Sequence, residues 1–145
     1  MNQGRIVVTQ FCDDVRYEVG NKYSLIGCYG DEMIVDKLPA LLPKLCVQIR
    51  AFTTTDKVFT KLVLRAFLGE EMIAEANIEF GKVSADDAPA DATRMGIMTF
   101  MFFSPLGITE PSLLRIEAET EDGVLSGGKL RIRERTTEDL PLDVR

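Results

Sequence analysis

The sequence predicts an all-β protein, an antiparallel β-sandwich of about eight strands. Two observations predict it. Apolar and polar residues alternate with period two from end to end, and no stretch holds a long helical stripe. Turn residues interrupt the alternation at short intervals. A strand with one dry face and one wet face reads this way.

The first strand is expected over residues 5–12. Asp13-Asp14-Val15-Arg16-Tyr17-Glu18 follows, where Asp13 suits the cap of one helical turn. Gly20-Asn21 turns the chain into a second strand, residues 22–29, which Gly30 ends. Met33-Ile34-Val35 reads as a short edge piece. Pro39 and Pro43 bracket Ala40-Leu41-Leu42. Proline cannot donate to a ladder, so this piece is expected to cross between strands.

The third strand, residues 44–52, places Leu45, Val47, Ile49 and Ala51 on one face. The fourth, residues 61–68, turns Leu62, Leu64, Ala66 and Leu68 inward and Lys61 and Arg65 outward. The fifth, residues 72–80, faces Ala74, Ala76, Ile78 and Phe80 in and Glu75, Asn77 and Glu79 out. Residues 81–96 hold Asp86-Asp87-Ala88-Pro89-Ala90-Asp91, the small polar composition of a loop. The sixth strand is residues 97–103, ended by Ser104-Pro105-Leu106-Gly107.

The last two strands form the clearest hairpin. Leu114, Ile116 and Ala118 alternate with Arg115, Glu117 and Glu119. Leu130 and Ile132 alternate with Lys129, Arg131 and Arg133. Glu121-Asp122-Gly123 fits a three-residue loop that pairs Thr120 with Val124 and so Leu114 with Leu130. Gly127-Gly128 suits a bulge that changes the register.

These elements fit one domain over residues 1–135, with a polar tail over 136–145. An immunoglobulin-like or C2-like sandwich is the expected type, and a barrel is the rival. The chain is 46% apolar and 28% charged, as globular proteins are. Its net charge of −6 disfavours nucleic acid and unaided binding to anionic lipid. No apolar run approaches the roughly 20 residues that span a bilayer. Met1-Asn2-Gln3-Gly4-Arg5 lacks signal-peptide form, so a cytoplasmic location is expected.

Cys12, Cys28 and Cys46 are odd in number and form no Cys-x-x-Cys, so buried free thiols in a reducing compartment are expected. The chain has no histidine. That removes serine–histidine and cysteine–histidine dyads and histidine-ligated zinc. Cys12 stands beside Asp13-Asp14, and carboxylates raise a thiol pKa. No glycine loop opens a helix to cradle phosphate. Neither catalysis nor a cofactor is expected.

Two features depart from a plain sandwich. The sixth strand is apolar on both faces, with Ile97, Met101 and Phe103 pointing one way and Met98, Phe100 and Phe102 the other. Either a loop such as residues 39–43, or the tail, covers the second face, or that face meets a protein partner or a second copy. Met98, Phe100 and Phe102 are the candidate interface. The second feature is acidic loops. If each connection reverses direction, Asp13, Asp14, Asp86, Asp87, Asp91 and Asp122 gather at one pole, with Glu18, Asp56 and Glu121. Calcium takes six to eight such oxygens. No spacing forms a calcium motif, and the opposite pole also carries acids, so solvated loops are the favoured explanation. The row Lys129, Arg131, Arg133 and Arg135 is expected to pair with acids of the neighbouring strand.

Residues 11–27 read Phe-Cys-Asp-Asp-Val-Arg-Tyr-Glu-Val-Gly-Asn-Lys-Tyr-Ser-Leu-Ile-Gly, followed by Cys28-Tyr29-Gly30 and Leu42-Pro43-Lys44-Leu45. This resembles an uncharacterised bacterial and phage-associated family with the pattern Phe-Cys-Asp-Asp … Gly-x-Lys-x-Ser-Leu-x-Gly-x-Tyr. The resemblance implies a small sandwich protein and carries over no activity. Within the motif, Gly20 and Gly27 suit tight backbone geometry, and Leu25, Gly27 and Tyr29 are expected on one face. The expected function is a non-catalytic interaction or assembly module. The alternative is a calcium- or ligand-binding C2-like module.

Overall fold

A computed structural model describes residues 4–80 and 89–139, and the described chain is all-β with no helix. Among the described residues eleven strands form three sheets, against about eight expected. They are β1 (Ile6–Glu18), β2 (Lys22–Cys28), β3 (Glu32–Val35), β4 (Ala40–Leu42), β5 (Leu45–Thr54) and β6 (Leu62–Leu68). They continue with β7 (Glu71–Asn77), β8 (Arg94–Phe103), β9 (Leu106–Ile108), β10 (Ser112–Thr120) and β11 (Gly123–Glu134). Sheet A runs β2-β1-β5-β8, sheet B runs β3-β11-β10-β6-β7, and β4 pairs with β9.

Sheets A and B pack face to face. The inward sets of the alternation meet between them. Leu45, Val47, Ile49 and Ala51 come from β5; Leu62, Leu64 and Ala66 from β6; Leu114, Ile116, Ala118, Leu130 and Ile132 from the hairpin. Met101 and Phe103 of β8 join this core, and Ile97 packs against it. Burying such aliphatic side chains stabilises by about 1.5–3 kcal/mol each before entropy is subtracted.

Several expectations change. The helical turn at residues 13–18 is strand: β1 continues through Glu18 and pairs with β2 from Glu18–Lys22 inward. Pairing across the whole segment satisfies more backbone groups than one isolated turn. The sheets are not wholly antiparallel, because β3 pairs parallel to β11. Residues 40–42 do pair, with β9, and Leu106 and Ile108 of that pair are core residues with Leu42 packed against them.

The hairpin turn is tighter than expected. Thr120 pairs with Gly123, not Val124, so Glu121-Asp122 is a two-residue turn. The register then shifts between Arg115 and Glu117, where Gly127-Gly128 bulge opposite Ile116. Turn and bulge together restore the Leu114–Leu130 pair. Gly128 has φ +107°, and a Cβ there would lie 2.3 Å from Thr9 Oγ1. Glycine is therefore demanded by both backbone and space.

A second irregularity sits at Asp13 and Gly27. Cys12 pairs with Cys28 and Asp14 with Ile26, but Asp13 and Gly27 are skipped. Gly27 has φ +66°, and its missing Cβ makes room for the Asp13 carboxylate. The alternation slips there. Tyr29 packs against the main core, while Leu25 packs on the outer face of sheet A. Leu25 and Tyr29 thus take opposite faces, not the shared one expected.

Candidate functional site

The outer face of sheet A is assembled from three in-register strands. Arg50 pairs with Met98, Gln48 with Phe100 and Cys46 with Phe102. On the other side of β5, Val8, Gln10 and Cys12 pair with the same three residues. Their side chains share the face opposite the core. The slip at Asp13 and Gly27 brings the Val15 and Leu25 side chains to this face beside Cys12. Cys12, Val15 and Cys46 form a small buried cluster there, with Leu25 and Phe100 against it.

Aromatic rings crown the cluster. Tyr17 and Tyr23 meet Phe100 edge-on, with centroids 6.3 and 5.5 Å away. Phe102 lies 6.2 Å from Phe100, and Lys44 Nζ stands 5.2 Å over the Phe102 ring. Gln48 is buried beneath them; its Nε2 donates to Tyr23 Oη at 2.6 Å and lies 3.2 Å from Met98 Sδ. Such edge-to-face pairs add about 0.5–1.5 kcal/mol each. The patch is therefore held in place by its own contacts. It still meets water: Met98 is 42% exposed, Phe102 46% and Tyr17 71%. Val8 and Ile6 extend it along β1, both exposed.

Of the two faces of the sixth expected strand, Ile97, Met101 and Phe103 go to the core and Met98, Phe100 and Phe102 to this surface. Residues 39–43 leave it open: residues 40–42 pair with β9, and Met98 and Phe102 remain exposed. Residues 136–139 do not cover it either, because Asp139 bonds Arg133 of β11 at 2.8 Å; residues 140–145, the rest of the expected tail, lie outside the described residues.

The outer face of sheet B is chemically the reverse. Arg65 reaches Glu75 at 2.8 Å and Glu119 at 3.2 Å, and Lys61 meets Glu119 at 3.1 Å. Arg115 meets Glu117 at 2.5 Å and stacks over Phe67 at 4.3 Å. The basic row pairs differently from expectation. Arg133 takes Glu32 and Asp139, and Arg135 takes Asp36 at 3.0 Å, so their acids come from β3, its following loop and the tail.

The expected acidic pole is spread out. Asp13 and Asp14 lie within β1, not in a loop. Asp13 accepts a hydrogen bond from Tyr29 Oη. Burial, and then this hydrogen bond, push the Tyr29 phenol above its ordinary pKa. Asp14 accepts from Lys44 Nζ at 2.6 Å, which holds its carboxyl below the usual range. Asp122 is at the β10–β11 turn, beside Arg5 and Lys57. From Arg5 to Asp14 the extended chain covers about 30 Å. Asp91 is exposed, and Asp86 and Asp87 fall outside the described residues. Among the described residues no group of three or more His, Cys, Asp or Glu is placed to hold a metal ion.

The cysteines form a row across sheet A, with Cys28 opposite Cys12 and Cys12 opposite Cys46. All three are free thiols; Cys12 and Cys46 are buried, but Cys28 is exposed, against expectation. Burial, with smaller help from Cys46 and other neighbours, pushes the Cys12 thiol up to about 11.

Alternation in the sequence does not mark Tyr17, Tyr23 or Gln48 as part of this surface. Tyr17 lies in the segment whose sequence suits a helical turn. The Tyr17–Tyr23 cross-strand pair becomes visible only once β1 extends to Glu18. No protein-family model and no curated protein matches the chain. Among the described residues no helix is long and apolar enough to cross a membrane.

Proposed function

We propose that this chain is a non-catalytic protein-interaction or assembly module that acts through the outer face of sheet A. The observation that carries the reading is the contrast between the two outer faces. Sheet B covers itself with ion pairs. Sheet A presents Met98, Phe100, Phe102, Tyr17 and Tyr23 on a preformed aromatic platform. Aromatic and Met residues are the types enriched where proteins meet, and the Glu and Lys residues that pair across sheet B are of types depleted there. A bacterial or phage setting comes from the sequence resemblance alone. The calcium-binding alternative draws no support from the placement of Asp13, Asp14 and Asp122.

Self-association is the accessible form of the test. Light scattering at micromolar concentration should report more than one copy per particle. Phe100→Asp/Phe102→Asp should give a folded, dissociated chain, because both changes fall on the outer face. Phe103→Asp should unfold it, because that side chain is in the core. A wild type that stays monomeric at every concentration would overturn self-association. Recovery of a stable complex by the double variant would show that the platform is not the contact.

A further inference from the structure

Among the described residues, sheets A and B have four edge strands: β2, β8, β3 and β7. An open edge is a template for another strand, and proteins blunt it with charge, proline, bulges or brevity. Three of the edges here are blunted. β3 is four residues long and begins with Glu32. β7 carries Glu71 and Glu75, and its register with β6 shifts near Ile73. β2 begins with Lys22 and is interrupted at Gly27.

The fourth edge has none of these devices. β8 pairs with β5 in one unbroken register from Arg94 to Phe103. Residues 95–103 contain no charge and no proline. Among the described residues its other side has no hydrogen-bonded neighbour. Both flanks of that free edge are apolar. Outward stand Met98, Phe100 and Phe102. Inward, Met95, Gly96 and Ile97 line a cavity of about 210 Å³ with Ile78, Phe80 and Phe59.

A strand that adds here needs apolar side chains on both faces and no charge along its length. Residues 95–103 of β8 have this composition. We propose that β8 pairs antiparallel with β8 of a second copy across a two-fold axis, joining two four-stranded A sheets into one of eight strands. Identical strands in antiparallel array satisfy two-fold symmetry, so the contact closes at a dimer. Backbone groups left open on each β8 gain partners, as in strand addition. Met and Phe of one copy meet Met and Phe of the other across the seam. Arg94, the one charge of the strand, falls at its end. The aromatic platforms of the two copies become one continuous surface. This proposal rests on the assembly reading above and gives it a partner and a geometry.

Amide hydrogen exchange on the wild-type chain, read at low and high micromolar concentration beside sedimentation velocity, tests it. The alternate β8 amides that face away from β5 should gain protection by roughly tenfold or more as dimer forms. Met98→Pro and Thr99→Pro remove N–H groups from opposite sides of the strand. One should weaken the fold by losing a bond to β5; the other should leave a folded monomer. A dimer whose β8 amides exchange alike at both concentrations would overturn edge pairing while leaving the platform reading intact. A chain that is monomeric throughout would overturn edge pairing together with self-association.

Discussion

Arg5 is a buried cation at the start of β1. Its Nε donates to Thr53 Oγ1 at 3.1 Å and its Nη2 to the carbonyls of Lys57 and Val58 at 3.0 and 3.2 Å. Nη2 also bonds Glu121, Nη1 faces Asp122 at 3.5 Å, and the guanidinium lies 4.6 Å over the Phe59 ring. It ties the β10–β11 turn to β1 and to the loop after β5. Burial works to raise the Glu121 pKa. The hydrogen bonds from Arg5 and from the amides of Glu121, Lys61 and Thr60 outweigh it and hold the carboxyl at about 2, below its ordinary 4.5. A depressed carboxyl pKa contributes stability that is present above the unfolded value and lost as protons bind. Stability should therefore fall as pH drops from 4.5 toward 2, and Glu121→Gln should flatten that fall in urea melts run across the range. An unchanged pH profile in the variant would remove Glu121 from the account. The thiols give a second residue-scale outcome. A polar thiol reagent should label Cys28 quickly in the native protein, while Cys12 and Cys46 wait for denaturant. Mass spectrometry of the labelled peptides reads this directly, and fast labelling of Cys12 would contradict its burial.

At the scale of elements, the β10–β11 hairpin and β8 pose opposite problems. The hairpin alternates cleanly, so its inward set could be read without knowing its neighbours. Ile116 is fully buried between the sheets. Ile116→Ala should cost about 2–5 kcal/mol, as large-to-small core changes do. Glu117→Ala removes a half-exposed pair with Arg115 and should cost about 0–1 kcal/mol. Chemical denaturation of the two variants separates them, and equal losses would mean that the register is wrong. β8 is apolar on both faces, and alternation alone does not say which face is core. Its pairing with β5 decides: Val47 lies opposite Met101 and Leu45 opposite Phe103, and both β5 residues face inward. The helical turn expected at residues 13–18 fails for a related reason. A short mixed segment has weak local preference, and the chance to pair with β2 overrides it.

For the whole molecule, the two sheets divide the work. One outer face is paired charge and the other is aromatic and aliphatic. Salt screens exposed ion pairs, and sulfate strengthens apolar burial. Self-association measured by sedimentation should therefore persist or tighten as sodium sulfate is added. Dissociation with salt would place the contact on the charged outer face of sheet B. The same division explains how a net charge of −6 coexists with an apolar surface. The charges are gathered where strands alternate, and the apolar excess sits where they do not.

Alternation along the chain is enough to give the β class and the inward residues of β5, β6, β7 and the hairpin. It also placed Met98, Phe100 and Phe102 together on one side of a strand. Each follows from period two, which is local: it needs only the strand's own residues. Tertiary structure alone decided which side of β8 is core, where the alternation slips at Asp13 and Gly27, and that β3 runs parallel to β11. It also decided that Arg5 is buried and that Tyr17 and Tyr23 join the platform. These depend on which strands lie side by side and how their twist brings distant residues together. A single arginine or tyrosine carries no local mark of the neighbours it will meet, because those neighbours come from elsewhere in the chain.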